Sequence, residues 1–191
     1  MKLFLESANF LQTVLDEAEK NNDAARQLVS GLSEGQLNWK PFPEKWSIAQ
    51  CFEHLAVTSS KFDPYFTAAI ASARKKWPVT GALQYRPSLV GGWLIKQVVP
   101  ETARRVRAPR VFRPSESSIH DALGGFLKQQ ERFLAFVRES DGIDYNRTRL
   151  RSPVTPLMRY NLADAFVVTV AHGQRHLAQA RRVRESTGFP N

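Results

Sequence analysis

The stretch WSIAQCFEHLAVTSSKF, residues 46–62, decides the fold. Ser47 followed three residues later by Gln50 is a capping box, in which each side chain satisfies an amide that the start of a helix leaves without a partner. Trp46 stands one residue before the cap and is placed to pack on Cys51 as a hydrophobic staple. From there Cys51, His54, Leu55, Thr58 and Phe62 recur at helical spacing. That periodicity predicts a helix with an inward face that runs to about Lys75. Pro64 lies inside it and is a candidate kink.

Three further stretches carry the same periodicity. Upstream, Phe10, Leu11, Val14, Leu15, Ala18, Ala25, Leu28 and Val29 form a core stripe, predicting a helix from about Glu6 to Ser30 that stops near Gly31. Downstream, a helix is expected after Ser117 or Ser118, through Leu123, Phe126, Leu127, Phe133, Leu134 and Val137, until Ser140, Asp141 and Gly142 end it. The last helix follows Asn161, which with Asp164 makes a cap, and continues to about Arg184. Arg181, Arg182 and Arg184 in its final turn suit the negative end of the helix dipole.

Between the second and third of these helices lie some forty residues, about 76–116, rich in Pro, Gly and Arg. A structureless loop of that length does not suit a compact domain, so the apolar run LVGGWLIKQVV is expected to form a short helix packed on the core. There is no internal repeat, and no alternating pattern competes with the helices. The expected fold is all-α, a four-helix bundle with a long crossover between helices two and three, built as a single domain over residues 1–191.

Composition fits an ordinary globular protein: 42% of the 191 residues are hydrophobic and 24% charged, enough apolar material for one substantial core. Nothing approaches a membrane span, and Glu6 and Asp16 interrupt any signal-peptide core at the N-terminus. The lone cysteine, Cys51, allows no intrachain disulfide, and a cytoplasmic location is the natural expectation. The net charge of +9 is local. Residues 74–113 hold ten Lys or Arg against the single acid Glu101, and the rest of the chain balances. A basic segment of this kind is weaker evidence for nucleic-acid binding than a basic face across a whole domain.

The stretch AHGQRHLAQ, residues 171–179, puts His172 and His176 one turn apart on one face of the last helix. Ala165, Phe166, Thr169, Gln179 and Val183 share that face, so the pair points inward. In a bundle, helices two and four can face one another and bring His54 to the pair, which is how such folds assemble metal sites. Three neutral imidazoles suit a divalent ion such as Zn, Ni or Fe, and three protein ligands leave a position open for water or substrate. The plain alternative is a coincidental or structural histidine pair. Cys51, one turn before His54, either completes a closed site of three histidines and a cysteine or packs beneath Trp46. His120 reads as a surface residue. Asp164 and Glu53 are the carboxylates available to orient ligand histidines, with capping and solvated-surface roles as their alternatives. No Ser-His-Asp order or glycine-rich phosphate loop is present.

WSIAQCFEHL, with Trp46, Ser47, Gln50, His54 and Leu55, followed far downstream by HGQRHLAQ, with His172 and His176, resembles the DinB-like family of bacterial metalloenzymes. The approach LSEGQLNWKPFPEKWS is similar in style to that family's entry into its second helix, and the resemblance covers nearly the whole chain. It implies a four-helix bundle, commonly a homodimer, with His54, His172 and His176 holding a divalent metal. It also implies a metal-dependent reaction: characterised relatives include thiol-dependent S-transferases and a mycothiol-dependent isomerase, and others are proposed hydrolases. The family name refers to induction by DNA damage and is not evidence of DNA binding.

Two readings of function follow. In the first, the chain is a metal-dependent transferase or hydrolase whose open position takes a low-molecular-weight thiol or water. Crossover arginines would then attract an anionic small-molecule substrate, with no membrane partner. In the second, it is a non-catalytic stress-response module that uses the basic residues 74–113 to contact nucleic acid or an acidic partner, and phosphate contacts of that kind predict steep salt dependence.

Overall fold

The computed structural model describes residues 2–99, 108–155 and 157–191 and is mostly helical. Helices α1 (Lys2–Leu5), α2 (Phe10–Val29), α3 (Glu34–Asn38), α4 (Ile48–Lys76) and α5 (Leu89–Val98) come first. A single 3-10 turn, Arg110–Phe112, leads to α6 (Ala122–Glu139). The short strands β1 (Arg149–Arg151) and β2 (Arg159–Asn161) then pair antiparallel and deliver the chain into α7 (Leu162–Arg184). No helix among the described residues is long and apolar enough to cross a membrane.

Caps set most of these boundaries. Ser47 and Gln50 form the expected box at α4, and Asn161 and Asp164 form one at α7. Ser33 and Gln36 make a third at α3. The first long helix begins at Phe10 rather than near Glu6, because the Asn9 side chain accepts from the Gln12 amide and caps it there. The third begins at Ala122 rather than after Ser117 or Ser118. Asp121 caps it in the left-handed region, φ 48°, a conformation whose strain Asp tolerates better than most residues. Pro64 lies within α4, which continues past it as one element.

The four long helices pack on one another: α4 lies against α6 and α7, and α2 against the same two. Their apolar faces form two clusters. One gathers Phe10, Phe66, Phe133 and Phe166 with Tyr160, and the other Ile48, Cys51, Phe52, Phe126 and Leu177. On α7 the first cluster ends with Val170 and the second begins with Leu177, so His172 and His176 occupy the interval between them. There α2 comes close: a Cβ at Gly173 would stand 2.7 Å from Asn21 Nδ2, which donates to the Val170 carbonyl at 3.0 Å.

Expected helix α5 forms and packs on α7. Asp164, fully buried, is the hub that docks it. Its carboxylate takes hydrogen bonds from Tyr85 Oη at 2.7 Å and Ser88 Oγ at 2.6 Å besides capping its own helix. Gly91 completes the fit, since a Cβ there would lie 2.0 Å from that carboxylate. The remainder of the crossover, residues 100–107 with Glu101, Arg104, Arg105 and Arg107, lies outside the described residues. The paired strands are an addition to the expected all-α fold, with Leu150 and Tyr160 turned to the core and arginines outward.

Candidate metal centre

The capped start of α4 fixes the position of His54, and the run of α7 through the gap between the apolar clusters fixes His172 and His176. The three rings meet. His54 Nε2 lies 3.3 Å from His172 Nε2, and His176 Nε2 lies 3.1 Å from the same atom. Nitrogens bound to one tetrahedral ion at about 2.0–2.1 Å stand roughly 3.3–3.4 Å apart, close to these two separations, and the three ligand atoms lie within 4.8 Å of one another. His54 and His176 are 4% and 7% exposed, and His172 is half-buried. Among the described residues these three are the His, Cys, Asp or Glu side chains whose ligand atoms gather in this way.

Hydrogen bonds at the far side of two rings decide which nitrogen faces the cluster. His54 Nδ1 donates to the Phe112 carbonyl at 2.5 Å, and His176 Nδ1 donates to Gln179 Oε1 at 3.0 Å. With Nδ1 carrying the proton, each Nε2 presents a lone pair. The third ring can offer at most one N–H between them, so at least one of these contacts sets lone pair against lone pair. A cation at the centre relieves that conflict, and this donor set is suited to one.

Electrostatics keep the imidazoles neutral. Burial lowers the pKa of His54, with the Arg175 charge adding to it and the Phe112 hydrogen bond opposing. Burial pushes His172 down to about 3, aided by His54 and Arg175, and holds His176 well below the ordinary value, aided by the other two histidines. Neutral imidazole is the form that binds metal.

Around the cluster, Trp46 covers two of the histidines, its ring centroid 4.8 Å from that of His54 and 5.7 Å from that of His176. Trp46, expected as a staple on Cys51, packs against the apolar cluster that holds Cys51 and forms a wall beside the histidines. Cys51 is fully buried in the apolar cluster and outside the histidine group, and burial raises its thiol to about 12. The placement agrees with packing rather than ligation. Glu53 and Gln50 both hold Ser115 where the crossover returns: Glu53 accepts from its amide at 2.6 Å, and Gln50 Nε2 donates to its carbonyl at 2.8 Å. Asp164 is taken up by its cap and by α5. His120 is exposed and pairs with Glu34 at 2.8 Å.

Two partners escaped the sequence reading. The Phe112 carbonyl carries no side-chain signature, and the spacing that puts Gln179 on the histidine face does not name its bond to His176. Thr58, one turn beyond His54, has a buried hydroxyl with no partner among the described residues.

The family model described as the DinB superfamily matches residues 17–180, which span all three histidines. No curated protein and no solved structure matches the chain.

Proposed function

The chain belongs to the DinB superfamily, and on that premise we propose that His54, His172 and His176 hold a divalent metal, Zn, Ni or Fe, in a metal-dependent enzyme. Its open position takes a low-molecular-weight thiol or water, making the reaction an S-transferase or hydrolase type. We read α2, α4, α6 and α7 as the four-helix bundle that carries the site, and the assembly as a homodimer. The observation that supports the metal most directly is the set of Nε2 atoms 3.1 and 3.3 Å apart, two of which face inward because their Nδ1 protons are committed elsewhere.

A divalent ion held there supplies Lewis acidity, lowering the pKa of a thiol or water at neutral pH. The chain's own groups prepare the place. Phe112 and Gln179 orient the rings, as hydrogen-bonded partners of ligand histidines do in metal sites generally. Trp46 packs its ring against His54 and His176 and shields them from water. Thr58 Oγ1, on the same face of α4 as His54, offers a hydrogen bond to whatever occupies the open position.

The test is metal analysis of protein purified without chelator, alongside His54→Ala and His172→Ala. About one ion per chain is expected in the native protein and little in either variant. A low metal content that the substitutions leave unchanged would remove the proposal. A screen of thiols against electrophiles, run on metal-loaded protein, then separates transferase from hydrolase.

A further inference from the structure

An open cavity lies at the other end of α7, where α5, the turn after Ile143 and the paired strands meet. Its volume is about 500 Å³, and its wall carries Arg86, Arg147 and Arg149 together with Ser88, Asn146 and Asn161. Asn161 precedes His172 by eleven residues, about 16 Å along a helix axis, so this cavity is separate from the histidine cluster.

None of the three arginines makes an ion pair among the described residues. Their backbones are nonetheless pinned. Arg86 donates its amide to Asn146 Oδ1 at 2.9 Å, and its carbonyl accepts from Asn161 Nδ2 at 2.9 Å. The Arg147 guanidinium lies 4.6 Å over the Trp77 ring. Arg149 stands directly across the strand pair from Asn161. Asp144, the acid on this wall, has one carboxylate oxygen occupied by the amides of Asn146 and Arg147, at 3.0 Å each.

The strands extend the positive field. Arg151 lies directly opposite Arg159 on the same outward face as Arg149. Like charges opposed across a sheet destabilise it, and a bound anion offsets the cost. Guanidinium forks match the oxygens of a phosphate group, and the cavity's volume falls in the range of small-ligand sites.

We propose that this cavity binds a small phosphorylated molecule, whose phosphate oxygens seat between Arg86, Arg147 and Arg149. A concave site of this size favours a small ligand over nucleic acid, whose footprint is a stripe across a face. The sequence pointed to the crossover's charge as a whole; the structure picks out Arg86 from it and joins it to two arginines from beyond α6.

The probes are inorganic phosphate and adenosine monophosphate, titrated calorimetrically into the full chain at low salt, with and without chelator. Saturable binding with a dissociation constant below about 1 mM is expected, unchanged by chelator. Arg86→Gln and Arg149→Gln should each weaken it about tenfold or more, Arg149→Lys should recover part of the loss, and Arg181→Gln should leave it intact. Melting curves of each variant confirm that the fold survives. The proposal is overturned if neither probe binds, if chelator abolishes binding, or if Arg181→Gln weakens it as much as the cavity variants. Binding of duplex DNA with no binding of adenosine monophosphate also overturns it.

Discussion

Acid should unfold the metal-free protein through its histidines, over a pH range that the site itself defines. An unfolded histidine titrates near 6.5, whereas burial places His172 at about 3 and lowers His54 and His176 as well. Below 6.5 the unfolded chain therefore binds protons that the folded chain refuses. Stability from these groups is complete above 6.5 and is lost as pH falls toward the folded values. Each such group contributes a slope of at most about 1.4 kcal/mol per pH unit. For His172 alone the loss between about pH 6.5 and pH 4.5 is at most about 2.5 kcal/mol, against a total stability of about 5–15 kcal/mol for a typical domain. The assay is urea unfolding of chelator-treated protein, followed by tryptophan fluorescence across this range. His172→Gln should flatten the slope by up to about 1.4 kcal/mol per pH unit. Reloading with metal should hold stability to lower pH, because protons must then displace the ion. Equal slopes in native protein and His172→Gln would refute the reasoning.

Three other outcomes are expected. Gly91→Ala drives a methyl group into the Asp164 carboxylate and should cost about 1–3 kcal/mol in denaturant unfolding, whereas the same change at open Gly92 should cost little. Cys51, buried with its thiol pushed up to about 12, should react with a disulfide reagent only as fast as the chain unfolds, whether or not metal is bound; rapid labelling of folded protein would contradict its place in the core. Ser47→Ala removes the cap that leads into His54 and should cost about 1 kcal/mol by thermal melting. It should also weaken metal binding, measured by competition with a chromophoric chelator.

The long helices and the three histidines were legible because each rests on local chemistry. Ser47 with Gln50 and Asn161 with Asp164 announce helix starts, and apolar spacing announces faces. Where local signals competed, the reading slipped. Glu6 belongs to the periodic stretch, yet Asn9 caps the helix three residues later. Ser117 and Ser118 look like caps, yet Asp121 does the work. Ser33 and Gln36 carry the same signature as Ser47 and Gln50 but head a helix of five residues, without the apolar repeat that drew attention to α4. The strands were silent because three residues each, with one buried in β1 and two adjacent ones buried in β2, give alternation nothing to repeat. Contacts across long sequence distances were silent too. Asp164 reads as a cap, and nothing near it in the chain names Tyr85 or Ser88; His54 reads as a ligand, and nothing names Phe112.

The hydrogen bond from His54 to Phe112 joins the histidine cluster to the backbone of the returning crossover. Gln50, Glu53 and His54, all within the first two turns of α4, hold the backbone of residues 112–115, where the crossover rejoins the helices. If the histidines hold the proposed ion, a ligand that favours the docked backbone of residues 112–115 by some factor must raise their affinity for that ion by the same factor, since coupling free energy is reciprocal. Proteolysis of the crossover with and without metal reads that coupling from one side, and metal affinity in a Glu53→Ala variant reads it from the other. Residues 112–115 are in this sense coupled to the histidine cluster through a backbone carbonyl.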